Sequence, residues 1–297
     1  MTKENIFLVV SLPVYIVAIL YENYLSYKQN KELYDWKDSG VSLWLGIGGA
    51  IMDLIFKGIC FYILDWCNRH ALYKPDLLFY YPILAWIVVF IGQDFCFYWL
   101  HRTEHSSRFF WAVHSNHHSS EKYNFTVALR SSVLQPMYRF IFYIPVAFLG
   151  FDGITIMFMY AVNQFYQFFL HTQTIGKLPL WYEAVFVTPS HHRVHHASDI
   201  KYLDRNMGQV LIVWDKLFGT FQKEEEIPTY GLTKNINSYN PIKVFLSEWF
   251  KIASDLKKPG LRLKEMLRYI FDAPGWSHDG SSKTSNQLRK INNLKNN

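Results

Sequence analysis

The sequence predicts an all-α integral membrane protein: a bundle of transmembrane helices carrying a cytosolic, histidine-rich helical cap that holds a di-metal site. Three observations carry that expectation. Half of the 297 residues are hydrophobic and 18% are aromatic, a proportion that suits a chain meeting the membrane interface. The apolar residues are segregated into long stretches, although the mean hydropathy is only -0.01. Ten of the twelve histidines fall between residues 101 and 196, all in polar segments. The net charge of +6 is a modest basic excess that by itself implies no nucleic-acid partner. Three cysteines (Cys60, Cys67, Cys96) exclude a disulfide-built fold and form no CxxC pair.

The elements follow in order. Residues 1–77 read as N-terminal membrane helices with connecting loops. Ile6–Tyr21 is nearly all apolar and no small-residue cleavage site follows it, so it reads as an anchor and not a removed signal peptide. Leu43–Leu64 is a second candidate span. It carries Asp53 and Lys57 four apart, a pair able to neutralise itself inside a bundle. Residues 78–240 form the core of the reading. Leu78–Leu100 is the clearest span, with Asp94 as its one ionisable residue. Residues 101–132 are a polar cap segment. Residues 133–170 read as a membrane hairpin turning at Gly150–Gly153, with Arg139 placed to snorkel toward the interface. Residues 171–240 return to the cap. A hairpin leaves and returns on one side, so both cap segments share a face of the membrane. Their Lys and Arg residues put that face in the cytoplasm. Residues 241–274 read as two amphipathic surface helices broken at Pro259–Gly260, and 275–297 as a disordered tail.

The histidines carry the chemistry. His101 and His105 are i,i+4 and continue the Leu78–Leu100 helix, so they share a face. His114 pairs with His117 and His118, and His192 with His195 and His196, at i+3 and i+4. Each helical turn thus offers two or three imidazoles to one point outside the bilayer. His171 and His191 are possible additions. Neutral imidazole ligates iron, zinc, copper and nickel, and eight to ten rings are too many for one ion. Two metals beside apolar helices point to oxygen chemistry on a lipid. Asp94 is a candidate to receive an imidazole N–H; Asn124 and Tyr123 are candidates to shape the pocket; Asp204, Arg205, Asn206 and Asp215 are candidates to support the last cluster. Glu104 points off the ligand face, and both a supporting role and a solvated charge remain open for it. His70 and His278 are isolated and read as structural. A zinc-dependent lipid hydrolase is the competing enzyme class, but no HExxH occurs. A metal transporter is the other alternative, although its ligands belong at the membrane midplane.

HRTEH at 101–105, HSNHH at 114–118 and HRVHH at 192–196, with an apolar hairpin between the second and third, resemble the fatty acid hydroxylase and sterol desaturase superfamily. The resemblance covers roughly residues 78–225. HSNHHSSEKYNFTVALR at 114–130, and TPSHHRVHH followed by NMGQVLIVWDKLFGTF, are similar to the alkylglycerol monooxygenase branch and its bacterial relatives. The resemblance implies a membrane-bound, non-haem di-iron oxygenase that hydroxylates a lipid, desaturates it, or cleaves it next to an ether oxygen. It implies the eight motif histidines as ligands and ligand histidines outside the boxes, which favours His171 and His191. It also implies an external electron donor, either a separate redox protein or a tetrahydropterin. Gly46–Ile–Gly48–Gly49 lies in an apolar segment and is no dinucleotide loop.

Overall fold

The computed structural model describes residues 3–71 and 80–296. Its named elements are all helical, joined by turns and two isolated β-bridges. Four parts of the chain build the membrane bundle. Helix α1 (Lys3–Lys28) and α2 (Trp36–Arg69) are long and apolar, and α3 (Pro82–Ser106) starts on a proline at its first turn, where a missing N–H costs nothing. These three are long and apolar enough to cross a membrane. A cap helix, α4 (Arg108–His114), and a short turn of helix, α5 (Phe125–Ala128), precede the hairpin. The hairpin is α6 (Arg139–Phe148) and α7 (Gly153–Phe168); its two limbs bend by 118° and form a fourth span or a re-entrant loop. The start of the expected third span, residues 78 and 79, lies outside the described residues.

The bundle core lies between α2, α3, α6 and α7, where Leu64, Val89, Leu100, Tyr143 and Ile156 are fully buried. The outer faces of α1 and α2 stay apolar and uncovered, as at Val17, Leu54 and Ile55, which are 60–75% exposed. Such stripes suit lipid and not water. The hairpin turns through Gly150, whose φ of +100° favours glycine, and Asp152 then caps α7 by accepting the Thr155 N–H at 2.8 Å. On α2, a Cβ at Gly46 would lie 2.7 Å from the Leu129 carbonyl oxygen. The glycine-rich patch is therefore where the cap loop 129–133 presses on α2.

One charge reading changes. The Asp53 carboxylate pairs with the Arg139 guanidinium, which also donates to the Tyr160 hydroxyl at 3.2 Å. Arg139 consequently stays buried and does not snorkel. A partner inside the bundle offsets the desolvation that snorkelling would have avoided.

The cap-side ends of α1, α2 and α3 meet one polar layer. Glu22 of α1 accepts the Phe125 N–H at 2.8 Å, Asp38 of α2 pairs with Arg130 at 3.0 Å, and α3 runs straight into His101 and His105. The layer continues through α8 (Leu180–Glu183), α9 (Pro189–His195) and α10 (Val213–Leu217), with bridges Phe186 to Leu211 and Ala197 to Tyr230. Both polar segments thus lie on the same side of the bundle. Helices α11 (Pro241–Leu256) and α12 (Leu263–Phe271) lie against this layer, α11 through the pairs of Arg108 with Glu248 and Asp255. The tail differs from the expected disorder: it forms α13 (Ser285–Asn296). Thr284 and Gln287 make a reciprocal capping box, Leu288 packs inward, and Arg289 bonds the Leu203 carbonyl oxygen. Composition alone hid those local signals.

Candidate metal centre

Nine buried or half-buried histidines gather into two groups able to chelate metal. His101, His105, His114, His118 and His195 form the first; His117, His171, His192 and His196 form the second. Within each, one ring atom per residue lies within 4.8 Å of all the others. The groups share a wall, where the His118 and His196 rings stack at 4.4 Å.

The helix geometry explains the sorting. Residues four apart are offset by about 40° around a helix, whereas adjacent residues diverge by about 100°. Accordingly His192 and His196, at the end of α9, share the second group; His114 and His118 share the first across the end of α4 and the turn of 3-10 helix at His117–Ser119. The residue at i+3 crosses over in each box: His117 joins the second group and His195 the first. The expectation that each box serves one point is therefore corrected. His101 and His105 stay together, and His171 completes the second group.

Outward hydrogen bonds fix the rings. The Nδ1 atoms of His101, His117, His171 and His195 donate to the carbonyl oxygens of Met207, Arg130, Gln167 and Arg205, at 2.9–3.0 Å. Nδ1 of His105 donates to the Asp204 carboxylate at 3.2 Å, and Nδ1 of His114 lies 2.9 Å from the Ser132 hydroxyl. The carbonyl and carboxylate partners assign the proton to Nδ1 and leave the Nε2 lone pair of those rings facing inward. The Nε2 atoms of His101 and His114 then approach within 3.1 Å, those of His117 and His171 within 3.2 Å, and those of His171 and His192 within 3.0 Å. For His117 and His171, whose Nδ1 protons are both fixed by carbonyl acceptors, two lone pairs meet, and these repel unless a cation lies between them. Nε2 of His105, His195 and His196 has no hydrogen-bond partner among the described residues. The donor set thus fits a metal ion in each group. Burial, reinforced by the neighbouring imidazoles, holds His114, His118, His192, His195 and His196 well below the ordinary imidazole range. Burial brings His117 down to about 4. Rings kept neutral are rings available to metal.

A single loop serves three of the rings. Asp204 and Asn206 adopt left-handed φ values of +52° and +56°, so the Asp204 carboxylate, the Arg205 carbonyl and the Met207 carbonyl all turn toward the first group. Asp and Asn tolerate this conformation better than other residues with a side chain. Asp215 pins the loop by accepting the Met207 and Gly208 N–H groups at 2.6 and 2.8 Å. Asn206 holds it from the other side through the His191 and Gln222 carbonyls.

Other expected residues fall elsewhere. Asp94 receives no imidazole N–H; it accepts from the Val210 and Leu211 backbone and from the Trp214 indole at 2.8–3.2 Å. Two helical turns below His101, it steadies the loop and not a ring. His191 belongs to neither group: its Nδ1 accepts the Thr188 N–H at 3.3 Å and caps α9. Asn124 caps α5 and donates to the Leu33 carbonyl at 2.7 Å. Tyr123 does wall the second group, its ring 5.2 Å from that of His196. Glu104 is fully buried, accepts from Gln135 and Tyr138, and lies 3.4 Å from Nδ1 of His114. Its partners come from the hairpin's first turns, which periodicity could not place beside it. Ser132 and the carbonyl acceptors left no signal in the sequence.

The chain matches the family model for fatty acid hydroxylase over residues 86–220. It is 40% identical to alkylglycerol monooxygenase of Homo sapiens over 247 residues, which is 80% of this chain and 53% of that protein. It is 36% identical to alkylglycerol monooxygenase of Xenopus tropicalis over 266 residues, 88% of this chain and 58% of that one. It is 27% identical to an ornithine lipid hydroxylase of Rhizobium tropici over 159 residues, 52% of this chain and 46% of that protein. The chain spans little more than half the length of the two monooxygenases. No solved structure matches it. The histidine boxes, the paired clusters and the extent of these matches together establish that the chain belongs to the fatty acid hydroxylase and sterol desaturase superfamily, in its alkylglycerol monooxygenase branch.

Proposed function

We propose that the protein is a membrane-bound, dioxygen-dependent lipid monooxygenase of the alkylglycerol type, with the nine cluster histidines holding two iron ions on the cytoplasmic rim of the bilayer. One observation carries the reading: two adjacent groups of imidazoles, six of the nine rings tied outward through Nδ1, seated where α3 leaves the apolar bundle. Bound iron, reduced by an external redox protein or a tetrahydropterin, would supply dioxygen activation and cleavage of an unreactive C–H bond.

The chain's own residues supply the rest. The outward Nδ1 bonds hold the rings rigid, and burial excludes water from between them. Beneath the second group lies a cluster of carboxamides. Gln209 reaches down from the cap to Gln93, Gln164 and Gln167, and Gln93 in turn accepts from Asn163. These amides mark the boundary between cap and bundle, where the polar end of an alkylglycerol meets its chain. Amide N–H groups there are suited to orient an ether or hydroxyl oxygen. Residues 78–240 act as the catalytic unit on this reading, with the N-terminal helices completing the bundle. The clusters lie in the polar layer at the helix ends, which disfavours a transporter.

Elemental analysis and labelling test the reading together. Purified protein should carry two iron atoms per chain and convert an alkylglycerol with incorporation of an atom from labelled dioxygen. Full activity with one metal or none, or turnover without dioxygen, would refute it.

A further inference from the structure

A cavity of about 540 Å³ opens into the cap on the side away from the bundle. His105, His118 and His195 form its floor, all from the first group and none from the second. Nε2 of His105 and of His195 is buried without a hydrogen-bond partner among the described residues. Trp111 stands beside this floor, its ring 5.0 Å from that of His105. The walls are the polar face of α11, the 231–234 loop and the tail.

The lining is charged, and its charge is unequal. It includes five cationic side chains and three carboxylates. Arg108, Lys251 and Lys258 share the two acids Glu248 and Asp255. The third acid, Asp204, is engaged by His105. Lys234 and Lys283 are exposed at the mouth and make no ion pair among the described residues. A concave site lined by excess positive charge concentrates anions. Its volume is within the range of small-molecule sites, but charged walls exclude an alkyl chain. Lipid substrate belongs to the opposite, bundle side of the histidine layer.

We propose that this cavity is the binding port through which a small water-soluble anion reaches the first histidine group, with Lys234 and Lys283 as its electrostatic gate. The proposal rests on the two-metal reading above and adds to it that the two groups are unequal: the first opens to water, the second does not open into this cavity.

The test uses full-length, iron-loaded, oxidised protein in nanodiscs and follows the absorption band that azide develops on ferric iron. Metal analysis comes first, and a preparation unable to hold iron removes the reading beneath the proposal and the proposal with it. With iron in place, the K234E/K283E variant should bind azide about three- to tenfold more weakly at low salt, at unchanged iron content, with the gap closing as salt is added. K223E, remote from this cavity, should match the unsubstituted protein. Inorganic phosphate should compete with azide. Changing the nanodisc lipid from phosphatidylcholine to phosphatidic acid should leave the azide constant unaltered. Equal azide binding by K234E/K283E and the unsubstituted protein would overturn the proposal. So would weaker azide binding in phosphatidic acid, which would make a lipid headgroup the occupant.

Discussion

At the scale of single residues, neighbouring histidines in one motif do different work. His191 and His192 are adjacent, yet His191 accepts a backbone N–H while His192 directs Nε2 to within 3.0 Å of Nε2 of His171. His192→Ala should therefore cut bound metal from two ions to one per chain. His191→Ala should keep both ions and lose about 1 kcal/mol of stability, the usual cost of a helix cap. Metal-to-protein ratios and thermal melts separate the two outcomes; equal metal loss in both variants would contradict the assignment. The same burial sets a pH dependence. His117 is depressed to about 4 when folded, against an ordinary 6.5, and His114, His118, His192, His195 and His196 shift the same way. The folded state thus refuses protons that the unfolded chain accepts. Stability of chelator-stripped protein should be full above about pH 7 and fall steadily as pH drops through about 6.5 toward about 4. A melting temperature unchanged between about pH 7.5 and about pH 5 would show that the rings are not held neutral by burial.

Elements were legible in proportion to how local their causes are. The long apolar stretches announced α1, α2 and α3, and the i,i+4 pair His101 and His105 lies on the helix that its spacing indicated. The division of each HxxHH box between two groups was not legible. In the 114–118 box it depends on α4 ending at His114 and on the separate turn of 3-10 helix at His117–Ser119; in the 192–196 box it depends on α9 ending at His195 with His196 as its cap. The role of Asp94 was misread, and that of Glu104 left open, for a related reason. Helix phase tells which face a side chain occupies, but not what another segment lays against it. Asp94 meets the 210–214 loop and Glu104 meets Gln135 and Tyr138, both distant in sequence. The Asp53 and Arg139 pair is a third case, because it joins α2 to α6. Removing one partner of a buried pair strands the other. Asp53→Ala should cost about 2–4 kcal/mol, toward the lower part of that range because the Asp53 side chain is 31% exposed. The double replacement Asp53→Leu with Arg139→Met should recover most of the loss. Thermal unfolding in detergent measures both, and a double variant no more stable than the single one would show that the pair specifies more than charge balance.

At the scale of the whole molecule, the bundle dictates topology. The end of α1 that carries Glu22, the start of α2 and the end of α3 all reach the histidine layer, so α1 begins on the opposite face. The hairpin returns to the layer it left, and its arms of 10 and 16 residues cover about 15 and 24 Å, short of about 30 Å of hydrocarbon. On those lengths its turn is expected to end inside the membrane. On the proposed placement of the cap at the cytoplasmic face, two cysteine substitutions become diagnostic. The native Cys60, Cys67 and Cys96 are buried, so background labelling should be low. Ile227 is 91% exposed in the cap, and Leu149 is 52% exposed at the hairpin turn. Ile227→Cys should resist a membrane-impermeant maleimide in intact cells and react in inside-out vesicles. Leu149→Cys should react in neither and become reactive only in detergent. Labelling of Ile227→Cys from outside would place the cap on the wrong face, and labelling of Leu149→Cys from outside would make the hairpin a full crossing.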